Sequence, residues 1–267
     1  MQRALVAGLL IAVIGSYFGA FVVQRGLGFL GDGLAHAAFG GVALALLLNT
    51  EPLWIAVPFT IVVAVAITWV RERTDLGSDT AVGIFFSLSV ALGVVFMSLK
   101  RGYSADAFSF LFGSILSVTT TDLYVTGIVL LLALLFQRMW GRWAYATFDR
   151  ELALADRLPV LFDDYILAIF IAVTVVIGVK LVGIVLVTSF LVIPAATARL
   201  FSRSFSAMTV LAATISIVCV VVGLDVSYRL DIPSGATIVF AQSAAFFASV
   251  ALTGRRRKSG LLTPPVE

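Results

Sequence analysis

Apolar residues run along this chain in long unbroken blocks instead of alternating with polar ones. Nine blocks stand out, at 4–23, 34–49, 53–70, 79–99, 122–139, 163–181, 183–201, 206–224 and 234–253. Most approach the roughly 20 residues that an α-helix needs to cross the hydrocarbon core of a bilayer. A strand of that length would leave its backbone groups unsatisfied in lipid, so the blocks predict helices. Only Lys180 and Gly183 punctuate the join between the sixth and seventh blocks, which makes that boundary the weakest. A further apolar run at 107–118, AFSFLFGSILSV, is too short to span and predicts a re-entrant or interfacial helix.

The expected fold is therefore all-α: a polytopic membrane bundle of about eight or nine transmembrane helices plus that short helix. One domain covers residues 1–253. The tail at 254–267, GRRRKSGLLTPPVE, is basic and then Pro-rich, and is expected to be a disordered cytoplasmic extension. The first block is longer than a signal-peptide core and lacks a small-x-small cleavage site, so it reads as a retained helix.

Composition agrees. Hydrophobic residues make up 61% of the 267 and charged residues 12%, about half the charge of an ordinary soluble domain. The net charge of +3 does not point to nucleic acid, because the basic residues sit in short clusters between apolar blocks. Placing the 140–162 loop in the cytoplasm and alternating outward puts thirteen of the eighteen Lys and Arg on the inner side. Those thirteen are Arg25, Arg71, Arg73, Arg138, Arg142, Arg150, Arg157, Arg199, Arg203, Arg255, Arg256, Arg257 and Lys258. The bias predicts a cytoplasmic C-terminus. Cys219, alone in an apolar stretch, offers neither a disulfide nor a CxxC site.

Candidate chemistry concentrates at 24–41, QRGLGFLGDGLAHAAFGG, which holds six glycines and the chain's one histidine. Asp32 and His36 are four residues apart and share one helix face. A carboxylate beside an imidazole suits zinc or manganese better than a hard, oxygen-only cation. Ionisable groups at membrane depth usually line a substrate path. Two plainer roles compete with metal contact: Asp32 could cap a helix beginning at Gly33, and His36 could hydrogen-bond to a neighbouring helix. Gly15 and Gly19 form a small-xxx-small pair that fits either a dimer seam or packing within the chain. Pro194 frees a backbone carbonyl and predicts a kink or a helix end. No G-x-x-x-x-G-K-[ST] occurs, so the chain has no P-loop of its own.

A second candidate is 148–159, FDRELALADRLP. It reads as a short amphipathic helix with Asp149 near its start and Leu152, Ala155 and Leu158 at helical spacing. The plain alternative is a solvated loop helix with no partner.

Several stretches together resemble one family, the permease subunits of bacterial zinc/manganese/iron ABC importers. FLGDGLAHAAFGGVALALLL is similar to its Gly/Ser-Asp-Ala-Leu-Ser-His-Ala segment. SDTAVGIFFSLSVALGVVF (78–96) resembles its Glu-Asp-Thr-Ala-Ile-Gly segment, with Ser78 where an acidic residue is common. FSFLFGSILSVTTTDL (108–123) resembles its Tyr-Leu-Phe-Gly-Asp-Ile-Leu stretch, with Ser114 for the frequent Asp. KLVGIVLVTSFLVIPAATARL (180–200) and LDIPSGATIVF (230–240) follow the family pattern closely, and FDRELALADRLP resembles its coupling segment, with Arg150 for Pro and Arg157 for Gly.

The resemblance implies a multi-pass protein of the bacterial cytoplasmic membrane. It also implies a second permease chain forming a homodimer, cytoplasmic ABC ATPase subunits, and an extracellular or periplasmic metal-binding protein. Asp32 and His36 would contact a transported zinc or manganese ion, with no permanently bound cofactor. Asp149, Glu151, Leu152 and Ala155 would dock the ATPase, so this chain itself would be no enzyme. The rival reading is an ATP-independent secondary transporter or channel, although no inverted repeat is evident. An intramembrane hydrolase would want HExxH, and a permease for vitamin B12 or iron chelates would want a wider path without the Asp/His pair.

Overall fold

The computed structural model of the protein describes residues 2–100 and 118–260. All but the last residue of the apolar run 107–118 lies outside the described residues, as does the tail beyond 260. Each of the nine apolar blocks carries a helix. In chain order they are α1 (Gln2–Gln24), α2 (Leu30–Leu47), α3 (Pro52–Arg73), α4 (Ser78–Leu99), α5 (Thr120–Leu135), α6 (Gln137–Phe148), α7 (Arg150–Ala155), α8 (Val160–Val182), α9 (Ile184–Arg199), α10 (Phe205–Leu230) and α11 (Ser234–Gly260). Seven are long and apolar enough to cross a membrane, and α5 with α6 makes an eighth if that bent pair counts as one span.

Two boundaries carry physical content. The fifth block does not run straight, because α5 and α6 meet at Phe136 with a 66° bend. Beyond the bend the apolar run gives way to Gln137, Arg138 and Arg142. The indoles of Trp140 and Trp143 pack edge-on to Phe21 of α1, and this turns α6 against the end of the bundle. The sixth and seventh blocks are parted by Gly183, whose φ of +85° is a conformation that favours glycine. Pro194 lies inside α9 and does not end it.

The centre of the bundle is built from α1, α2 and α8, while α4 and α11 bury only a narrow face. Helix α2 packs between α3 and α4, and α1 packs against α9 and α10. Close crossings depend on missing side chains. Gly15 and Gly19 of α1 face Phe190 and Leu191 of α9, so that pair serves packing within the chain. On α2, Gly41 abuts the backbone of Ala56 and Gly40 lies beside the Ser89 carbonyl.

Polar contacts sort the helix ends into two sets. At one end Arg25, just after α1, bonds Thr147 and Asp164, and Arg150 reaches Glu72 at the end of α3. At the other end Lys180 pairs with Asp122 at 2.8 Å, and Asp122 also closes a capping box with Thr119. The grouping agrees with the two sides inferred from Lys and Arg.

Candidate functional site

Helix α2 begins at Leu30 with Phe29 in the cap position and no side-chain cap. Asp32 is therefore already inside the first turn and does not serve as the cap. Its carboxylate lies near the positive end of the helix dipole, which lowers the cost of keeping the charge there. The Asp32 side chain is 45% exposed and that of His36 28%.

The two side chains are brought together on one face. His36 Nδ1 stands 3.0 Å from the Asp32 backbone carbonyl and 3.9 Å from the Asp32 carboxylate oxygen Oδ1. A proton on Nδ1 donated to that carbonyl leaves the Nε2 lone pair free, the tautomer that suits a metal-ligating imidazole. The ring is steadied by Phe86 of α4, with centroids 4.5 Å apart. Among the described residues no hydrogen bond runs from His36 to another helix.

Asp32 opens into a cavity of about 380 Å³ lined by Phe29, Gly33, Asp79, Val82, Gly83 and Phe86. Glycine shapes it from both sides. Gly33 lets Val82 approach to where a Cβ would stand 2.6 Å from its methyl carbon, and Gly83 faces open space. Asp79, in the first turn of α4, adds a second carboxylate at a second helix N-terminus. Sequence reasoning missed Asp79. It follows Gly77 and Ser78 at the start of another apolar block, and no spacing rule links it to Asp32. Among the described residues no three His, Cys, Asp or Glu side chains stand close enough to chelate an ion. The pair presents a carboxylate oxygen and an imidazole nitrogen on one helix face.

The second candidate lies at the Arg-rich end. Asp149 caps α7 by accepting the Leu152 N–H at 2.9 Å. Glu151 stands exposed in the first turn, favourably placed against the dipole. Leu152, Leu154 and Ala155 are exposed, whereas Ala153 is fully buried against Ala146 and Val160. Leu158 departs from the expected stripe. It follows the end of the helix and folds back onto the cluster of Ala146, Ala153 and Val160. The reason is the cap: Arg157 takes a φ of +58°, and the N–H groups of Arg157 and Leu158 bond the carbonyls of Leu154 and Ala153. This is a Schellman motif, whose left-handed residue is usually glycine. The chain keeps the glycine conformation with an arginine in it. Nearby Phe148, Leu161 and Phe162 are also exposed, and they widen the apolar surface around α7.

Asp32 and His36 thus share one helix face, Asp32 and Asp79 line one cavity, and Asp149, Glu151, Leu152 and Ala155 lie together on and beside α7. The turn before α2 is tied to α6 and α8 through Arg25, which bonds Thr147 at 2.8 Å and Asp164.

Residues 1–253 match the family described as the ABC 3 transport family. The manganese transport system membrane protein MntC of Halalkalibacterium halodurans is 34% identical over 247 residues, covering 92% of this chain and 85% of that protein. The high-affinity zinc uptake system membrane protein ZnuB of Haemophilus influenzae is 34% identical over 249 residues, covering 92% of this chain and 95% of its own length. Among solved structures, PsaBC from Streptococcus pneumoniae in complex with Fab superposes with a TM-score of 0.81 at 32% identity, over 93% of this chain and 90% of that one.

Proposed function

The chain belongs to the ABC 3 transport family, and from that premise we propose that it is the membrane-spanning permease subunit of an importer for divalent transition-metal ions, zinc or manganese. One observation carries the reading to the residue level: Asp32 and His36 share one face of α2, Asp32 lines the cavity, and with Nδ1 bonded to the Asp32 carbonyl the His36 Nε2 is left to coordinate. The relatives described as manganese and zinc transport membrane proteins support the class of cargo. A carboxylate and an imidazole tolerate both metals, and affinity order alone does not choose between them.

In this reading the bundle lies in the bacterial cytoplasmic membrane with the α7 end and the C-terminus in the cytoplasm. ATP is hydrolysed on separate ABC subunits that dock against Asp149, Glu151, Leu152 and Ala155. A binding protein on the outer side delivers the ion, and a second copy of the permease completes the path. The Asp32 carboxylate attracts the cation, His36 Nε2 adds a softer donor, and Asp79 lines the route beside them. Two protein ligands hold an ion weakly enough to release it, as transport requires.

The test is radiolabelled zinc and manganese uptake by Asp32→Asn and His36→Ala at matched protein levels in the assembled transporter. Asp32→Asn keeps shape and hydrogen bonding but removes the charge, which counts heavily for a divalent cation away from bulk water. Both variants are expected to lose most uptake of at least one metal. Full uptake of both metals by both variants would refute the ligand assignment.

A further inference from the structure

A group of paired charges, buried at Asp164 and partly exposed at Arg150, lies between the α7 surface and the turn that leads to the Asp32/His36 pair. Arg150 is the first residue of α7, flanked by the capping Asp149 and the exposed Glu151. Its guanidinium turns inward. Nη1 donates to Asp164 Oδ2 at 2.6 Å, and Nη2 donates to both Glu72 carboxylate oxygens at 2.7 and 2.8 Å. Burial works against the cation there, but Asp164 and Glu72 outweigh it and hold the Arg150 pKa above its ordinary value.

Asp164, on α8, is only 7% exposed and divides its two oxygens between two arginines. Its Oδ1 takes Arg25 Nη1 at 2.5 Å, and Arg25 also donates to Thr147 and to the Trp143 carbonyl. Arg25 stands in the tight turn between α1 and α2, beside Gly26 with its φ of +67°. Seven residues on is Asp32. Three side chains, Arg150, Asp164 and Arg25, therefore span from the docking helix to the helix that carries the cation site.

Besides this network, α7 is held by a small apolar cluster, Ala153 with Ala146, Val160 and Leu158, and by the Tyr145 hydroxyl donating to Asp156 at 2.7 Å. The helix is six residues long and buries only Ala153. Exposed ion pairs contribute little, but the Asp164 and Arg25 end of this network is buried, while Arg150 is 40% exposed and Arg71 brings a third guanidinium to the same two carboxylates. Removing one member leaves a charge without its partner in a buried place. A displacement of α7 must carry the network with it or break it, and either outcome is felt at Arg25 on the α2 side and at Glu72 on the α3 side.

Resting on the permease reading above, we propose that Arg150 is the positioning residue that links movement of the ATPase-docking helix to the cation path, through Asp164 and Arg25 to α2 and through Glu72 to α3. It touches neither the ion nor ATP.

The experiment uses the whole transporter, permease with its ATPase subunits and binding protein, in proteoliposomes, with zinc and manganese as the probes. The quantity read is ions imported per ATP hydrolysed, alongside copurification of the ATPase and the unfolding temperature. Arg150→Gln is expected to copurify with the ATPase and to import about fivefold fewer ions per ATP or worse, the lower end of ordinary coupling between separate sites. Arg150→Lys keeps the charge but cannot bridge two carboxylates in the fork geometry of a guanidinium, and recovers only part of the loss. If Arg150→Gln does not accumulate, Glu72→Gln, which leaves the Arg150–Asp164 bond in place, is expected to show the same kind of loss. A lower unfolding temperature with wild-type ions per ATP, in either variant, overturns the proposal and leaves Arg150 a purely structural tether. Asp32→Ala is run in parallel. A wild-type complex that imports neither metal would bring down the permease reading itself, and the Arg150 proposal with it.

Discussion

The crossing of α1 over α9 gives a graded test of how the bundle is packed. A Cβ added at Gly19 would overlap the Leu191 carbonyl oxygen and stand 2.9 Å from its carbonyl carbon, all of it backbone that no rotamer can move. Carbon contacts are optimal at about 3.5–4.0 Å, so the two helices must part by about 1 Å. Overpacking of this kind costs about 1–3 kcal/mol, against a gain of up to about 1 kcal/mol from replacing glycine in a helix. Gly19→Ala is therefore expected to lower stability by about 1–2 kcal/mol. At Gly15 the new Cβ meets Phe190 Cβ at 3.1 Å, a milder clash, and at Gly127 of α5 nothing lies within 4 Å. The expected order of unfolding temperature is Gly127→Ala at or above wild type, then Gly15→Ala, then Gly19→Ala lowest. Each kcal/mol corresponds to about 2–4 °C for a chain of this size. The assay is thermal unfolding of the purified protein in one detergent. A Gly19→Ala variant as stable as Gly127→Ala would refute the close α1–α9 crossing, and loss of dimer with unchanged monomer stability would make the pair a seam between chains.

Two further outcomes concern α7. Arg157→Gly removes a left-handed strain that costs an L-residue roughly 1–2 kcal/mol, and the expected result is stronger amide-exchange protection across Arg150–Ala155. Unchanged protection would show that the cap is not limiting. Glu151→Lys combined with Leu152→Asp reverses a charge and places a carboxylate on the exposed apolar face, so ATPase copurification should fall sharply while the permease unfolds at its usual temperature. Wild-type copurification would place the docking surface elsewhere.

The helices were legible because each is written as a long apolar block, and lipid leaves few alternatives for such a segment. Block hydrophobicity does not report a bend, which is why the turn at Phe136 was invisible: α6 is redirected by Trp140 and Trp143 meeting Phe21, residues far apart in the chain. Gly15 and Gly19 showed that something packs closely, but spacing cannot name the partner, which proved to be α9. Asp32 and His36 were readable because one helical turn joins them. Asp79 was not, because only the packing of α2 on α4 brings it to the same cavity. The same limit hid the Arg25–Asp164–Arg150–Glu72 network. Each of those residues looks like an ordinary flank of an apolar block, and only the fold brings them within hydrogen-bond distance.

The proposed function makes this chain a metal path whose energy comes from a separate ATPase. The most direct measurement is metal uptake against a gradient in proteoliposomes, with the permease alone and with its ATPase subunits and binding protein present. Concentrative zinc or manganese uptake is expected only when the ATPase and ATP are supplied, with none from an imposed proton gradient. Robust concentrative uptake by the permease alone, driven by protons, would contradict it.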